Sequence, residues 1–262
     1  MTDPLKEIAE DLQRAPANRV VYLEGNTDDQ ALFALLGVSA PPDSVVDGVL
    51  IRGLRPNRGS GGSAVRHRVE SASARGFRHV YGVLDGDGAD PTDPFPGPGP
   101  LFVWPGYAIE NLVVRAGWPP AFGDPPDWPT VMRAHAGAVA LNRVVREVQE
   151  RLGRHGLRKF LRPSDDPTAV DRKTVRAALV GADAIGRDLV ARFDRDADAF
   201  EARVDQDLAA AHAWIDGKWL VEHHVGRVMG VRDVRTQWLA HLASTGGLPE
   251  VRAWWDARIR PG

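Results

Sequence analysis

Short β-branched runs alternate with helical patterns along the first hundred residues, and nothing else in the chain constrains the fold as strongly. Such alternation predicts an α/β fold, a mostly parallel, Rossmann-like sheet flanked by helices. Arg19-Val-Val-Tyr-Leu-Glu24 predicts a buried strand closed by Gly25. Asp28 to Leu36 predicts a helix with Thr27 at its N-cap and Gly37 as its stop. Val45 to Arg52 predicts a second strand, Ser63 to Arg75 a helix ended by Gly76, His79 to Leu84 a third strand and Leu101 to Trp104 a fourth. Asp90 to Pro100 is too rich in Pro and Gly for either structure and predicts a surface excursion. Beyond a second Pro cluster, Trp118 to Pro129, the pattern turns helical over Thr130 to His155, Lys173 to Phe193, Ala197 to Trp214, Lys218 to Met229 and Val231 to Ala243. The expected organisation is an α/β core over 1–117 and an α-helical domain over 118–262.

Composition narrows the classes. Lys and Arg number 33 against 35 Asp and Glu, a net charge of −2, which excludes a uniformly basic nucleic-acid coat but not local segregation of charge. Cys is absent, which removes disulfide scaffolds, Cys-ligated zinc, iron–sulfur clusters and thiol nucleophiles. No run approaches the roughly 18 apolar residues that a spanning helix needs. The N-terminus MTDPLKEIAEDLQR predicts a charged amphipathic helix rather than a signal peptide. A soluble, cytoplasmic protein without a membrane partner is the expectation.

The informative residues are carboxylates at strand ends. Glu24 closes the first strand, and Asp85 and Asp87 lie just past the third, in Val83-Leu-Asp-Gly-Asp-Gly88. Ligands of open α/β sheets bind outside the carboxyl ends of the strands, so these three side chains are expected to converge. Clustered carboxylates repel one another unless a cation sits among them, and hard oxygen donors suit Mg²⁺ or Mn²⁺. Asp-Gly-Asp-Gly alone is also what an ordinary turn selects. Its pairing with Glu24-Gly25 shifts the balance to the metal.

Tyr22-Leu-Glu-Gly-Asn-Thr-Asp28 resembles the first motif of the TOPRIM domain, and Leu84-Asp-Gly-Asp87 resembles its second. Tyr107-Ala-Ile-Glu-Asn-Leu112 is similar to the Ile-Glu-Asn motif of TOPRIM proteins related to the overcoming-lysogenization-defect (OLD) nucleases. Asp216-Gly-Lys218 is similar to the Gly-Lys that follows in that group. The resemblance implies metal-dependent phosphodiester hydrolysis: Glu24, Asp85 and Asp87 as ligands of one or two Mg²⁺ or Mn²⁺ ions, and Glu110 as a further ligand or a general base. Lys218 is then the cation that neutralises charge developing on the phosphate. Asp28 is expected to support the ligands from behind. Taken without the resemblance, Glu110 is equally an acid in a helix's first turn, and Lys218 a solvated surface lysine.

Two basic segments predict where nucleic acid lies. Arg52, Arg55, Arg58, Arg66 and Arg68 crowd a stretch with no acid, around a Gly-Ser-Gly-Gly-Ser loop whose backbone N–H groups suit phosphate. Arg143 to Arg162, including Arg154 and Arg158, offers a second, for which a solvated helix face is an equal reading. The Trp residues of the second half are expected in the core.

Among TOPRIM proteins, topoisomerases need a tyrosine on a separate domain, and Tyr22, Tyr81 and Tyr107 all lie in or beside the core. Primases and recombination mediators of this type bring Cys-rich zinc modules. No Gly-Lys-Ser/Thr loop supports an attached ATPase. What remains is a stand-alone endonuclease acting on DNA or RNA, tRNA included, similar to effectors of bacterial anti-phage defence systems that act with an ATPase partner. A homodimer is expected. The competing reading is a non-catalytic nucleic-acid-binding or regulatory module acting with a partner ATPase.

Overall fold

The computed structural model describes residues 4–25, 27–54, 61–86, 99–104, 106, 108–141, 143–144, 173, 176 and 186–260. Two compact units result, one of residues 1–123 with 217–262 and the other of 124–216. This division differs from the single boundary near Trp118 expected from the Pro cluster. The last 46 residues rejoin the sheet-bearing unit because their helices carry apolar side chains, Trp238, Trp254 and Trp255 among them, into its core.

The first unit is built on α1 (Pro4–Arg14), β1 (Arg19–Leu23), α2 (Asp28–Leu35), β2 (Val45–Val46), β3 (Val49–Gly53), α3 (Gly62–Ala74), β4 (Val80–Leu84), β5 (Leu101–Val103) and α4 (Glu110–Arg115). The sheet order is β2-β3-β1-β4-β5. β3, β1, β4 and β5 are parallel, and only the edge strand β2 runs antiparallel. The expected strand Val45 to Arg52 is therefore a hairpin. Asp47 (φ 51°) and Gly48 (φ 81°) are both left-handed, the geometry of a two-residue hairpin turn, which Asp-Gly favours.

Side-chain alternation divides the sheet into two faces. Val20, Tyr22, Leu50, Val80 and Leu84 form one core with Ile8 and Leu12 of α1 and Val65, Val69 and Ala72 of α3. The intervening residues Val21, Leu23, Ile51 and Val83 are buried as well, so neither face is left to solvent. From β1 the chain crosses to β3 on one side, and from β4 it passes to β5 on the other. Adjacent strands β1 and β4 therefore flank the switch point of the sheet, where a crevice forms beyond their carboxyl ends.

In the second unit, α5 (Trp128–Ala134), α6 (Gly186–Gln206) and α7 (Leu208–His212) are helical. Residues 194–196, expected between two helices, lie inside the single helix α6, because Phe193, Ala197, Phe200 and Val204 continue one buried stripe through it. The chain returns to the first unit through a π-helical segment (Trp219–Val228), then α8 (Val234–Ser244) and α9 (Pro249–Arg258). Within this unit α8 packs along α2, and the π-helical segment packs against α4 and α8. Among the described residues no helix is long and apolar enough to cross a membrane.

Candidate active site

Glu24 and Asp85 are the first residues past β1 and β4, so the parallel register of those strands brings them to one end of the sheet. The Asp85 backbone N–H donates to Glu24 Oε1 at 2.8 Å. Gly61 N–H donates to the Glu24 carbonyl at 3.0 Å, and a Cβ on Gly62 would meet Glu24 Oε1 at 3.0 Å. The Glu24 carboxylate thus lies against the first turn of α3, where the helix dipole favours negative charge.

Asp28 opens α2 and is buried, and its Oδ2 accepts a hydrogen bond from Gly25 N–H at 2.7 Å. A Cβ at position 25 would stand 2.8 Å from that oxygen, which makes glycine there a demand of space. Glu110 opens α4, also buried. Its Oε1 accepts from Arg235 Nη2 at 3.2 Å, and the same nitrogen donates to the Thr27 carbonyl at 3.1 Å.

Lys218 approaches from the far end of the sequence. Its Nζ stands 3.7 Å from Asp85 Oδ2, while Ile109 N–H donates to Asp85 Oδ1 at 3.3 Å. Gly217 permits this approach: a Cβ there would lie 2.6 Å from the Asn111 backbone nitrogen and 2.7 Å from Asn111 Oδ1. Asn111 Oδ1 accepts from Ala108 N–H at 2.8 Å, bracing the turn that delivers Glu110.

The electrostatics are those of an acid excess under poor solvation. Burial pushes Asp85 up to about 8, with Asp28, Glu24 and Glu110 pushing the same way and Lys218 pulling back. Glu110 is raised too, by burial first, against Lys218 and Arg235 and with Asp28 adding to the rise. Asp28 Oδ1 and Glu110 Oε2 are buried with no hydrogen-bond partner among the described residues. Carboxylates in this condition fit a hard divalent cation such as Mg²⁺ or Mn²⁺ in donor chemistry. Among the described residues no group of three or more His, Asp or Glu side chains is arranged to hold a metal ion. Asp87, expected as a ligand, lies outside the described residues.

The arginines fare differently. Arg52 Nη1 donates to both carboxylate oxygens of Asp11 at 2.5 Å, and Arg52 Nε stands 3.7 Å from Asp43. Arg68 is buried, 3.2 Å from Glu7, with its guanidinium 5.8 Å from the Tyr22 ring centroid. Neither belongs to an exposed phosphate-tracking surface as expected, because α1 supplies their counter-charges. Arg66 is exposed on α3. Arg55, Arg58, Arg154 and Arg158 lie outside the described residues. Arg235 was not foreseen, since one arginine in a helix carries no mark of what its helix packs against.

No family model, curated protein or solved structure matches the chain.

Proposed function

We propose that this chain is a divalent-metal-dependent nuclease of the TOPRIM type, similar to OLD nucleases, that hydrolyses phosphodiester bonds of DNA or RNA. The observation that supports it most is the convergence of Glu24, Asp85, Glu110 and Lys218, residues from four separate stretches, at the switch point of the sheet. Glu24, Asp85 and Asp87 would hold Mg²⁺ or Mn²⁺, with Glu110 a further ligand or the general base. Once bound, such an ion polarises a phosphate oxygen and lowers the pKa of a water.

Hydrolysis forms one bond from a water oxygen to phosphorus and breaks the bond from phosphorus to the sugar oxygen. The proton of the attacking water passes to a carboxylate and is restored to the leaving oxygen. Lys218, whose side chain is 46% exposed, is a cation within reach of a phosphate, and its charge offsets the negative charge that builds in the transition state. Asp28 spends one oxygen on Gly25 N–H and so fixes the turn that aims Glu24.

By the same resemblance we assign the protein to cytoplasmic anti-phage defence, as a homodimeric effector governed by an ATPase partner. The non-catalytic reading has one observation in its favour, since Lys218 and Arg235 already meet Asp85 and Glu110. Purified protein incubated with plasmid DNA and with total tRNA, in Mg²⁺, Mn²⁺ or EDTA, separates the two. Metal-dependent cutting that Glu24→Ala abolishes is expected; cutting that persists in Glu24→Ala refutes the assignment.

A further inference from the structure

We propose that Arg235 is a positioning residue of the strand-end site, clamping Glu110 to the β1–α2 turn so that both are held in one place; this rests on the metal-dependent reading above. The guanidinium is placed for it. One nitrogen, Nη2, donates both to Glu110 Oε1 at 3.2 Å and to the Thr27 carbonyl at 3.1 Å. Its side chain is 18% exposed and the Glu110 side chain 3%, so the pair is shielded from water and from competing ions.

The topology gives the clamp its purpose. Glu110 follows β5 and Thr27 follows β1, 83 positions apart in the chain, and the helices that follow them, α4 and α2, pack against each other. Arg235 enters from α8, which packs along α2, and adds a polar tie between Glu110 and the β1–α2 turn from a third element. Partners of this kind behind ligating carboxylates typically change metal affinity 10–100-fold when removed.

Lys218 and Arg235 thereby divide the work. Lys218 is half-exposed beside Asp85 and accessible to a phosphate, whereas Arg235 is shielded with its Nη2 committed to Glu110 and Thr27. Both contacts come from the single nitrogen Nη2, whose two N–H bonds serve one acceptor each.

The test uses the full-length chain, with Arg235→Gln, Arg235→Lys, Glu110→Gln and the Arg235→Gln, Glu110→Gln double variant. Two readouts are taken: Mn²⁺ affinity by calorimetry, and backbone hydrogen exchange at residues 27–29 and 109–112 without metal. Arg235→Gln is expected to weaken Mn²⁺ about 10-fold and to speed exchange at both segments, with Arg235→Lys recovering most of each. In the Glu110→Gln background, removing Arg235 is expected to change Mn²⁺ affinity less than about 2-fold. Equal losses in the two backgrounds, or Mn²⁺ affinity untouched by Arg235→Gln, overturn the proposal. A wild-type chain that binds no Mn²⁺ overturns the metal reading instead, and hydrogen exchange then decides the clamp by itself: unchanged exchange at 27–29 and 109–112 in Arg235→Gln refutes it.

Discussion

Two groups of buried and half-buried carboxylates occupy the same unit, and they are built on opposite accounts of charge. On the α1 side, Asp11 receives Arg52 at 2.5 Å and the Tyr22 hydroxyl at 2.7 Å, and Glu7 receives Arg68 at 3.2 Å. At the strand ends, Glu24, Asp28, Asp85 and Glu110 share Lys218 and Arg235, and two carboxylate oxygens have no partner among the described residues. The first group balances acid with arginine and closes on itself, as a buried pair must if it is not to cost stability. The second leaves an excess of negative charge where the sheet opens. Burial alone does not separate the two groups. The balance of charge does.

Breaking each group should therefore fail in a different observable. The largest effect is expected from Glu24→Gln, which keeps an oxygen acceptor for Asp85 N–H but removes the charge: nuclease activity falls at least about 100-fold while the melting temperature barely moves. Arg52→Ala does the reverse, costing about 3 kcal/mol in denaturant unfolding because Asp11 is left buried without its main cation, with Mn²⁺ affinity unchanged in the folded protein. A variant of Glu24 that unfolds the protein, or a variant of Arg52 that removes metal binding, would erase the distinction between the two groups.

The next effect is one of pH. Asp85 keeps its proton up to about 8 in the folded chain and loses it near 4 when unfolded, so between those values the folded state binds the extra proton and stability falls as pH rises. Asp85→Asn removes the titrating group. The variant is expected to melt above wild type by roughly 5 °C at pH 8 without metal, and the difference shrinks towards pH 5. A gap that stays constant across that range would show that the carboxyl is not the source. The smallest effect is expected from Lys218→Gln: a half-exposed pair contributes little, so the shift in melting temperature is about 1 °C or less, although cleavage falls.

The strand-end acids were legible because hydrophobic runs of β-branched residues stop at Glu24 and Asp85, and parallel strands carry their ends to one side. Glu110 and Lys218 were legible only by resemblance to a family, since a lone acid at a helix start and a lone lysine have no pattern of their own. Arg52 and Arg68 were misread because the acids that neutralise them, Asp11 and Glu7, sit 41 and 61 residues earlier on α1. The hairpin at Asp47-Gly48 carried its own turn signature, but the apolar residues on either side of it, Val45-Val46 and Val49-Leu50-Ile51, read equally as one strand. Arg235 had no signal at all. Its role depends on α8 packing along α2, and that arrangement is written in tertiary contacts rather than in local periodicity.

The central claim is that the acid excess at the strand ends is a divalent-cation site. Calorimetric titration of Mn²⁺ into wild type and into Asp85→Ala, at pH 8 and in parallel with a melting curve for each, tests it most directly. Saturable binding by wild type, lost in a variant that still melts cooperatively, is the predicted result. Binding of equal strength in both proteins, or no binding by wild type, would contradict it.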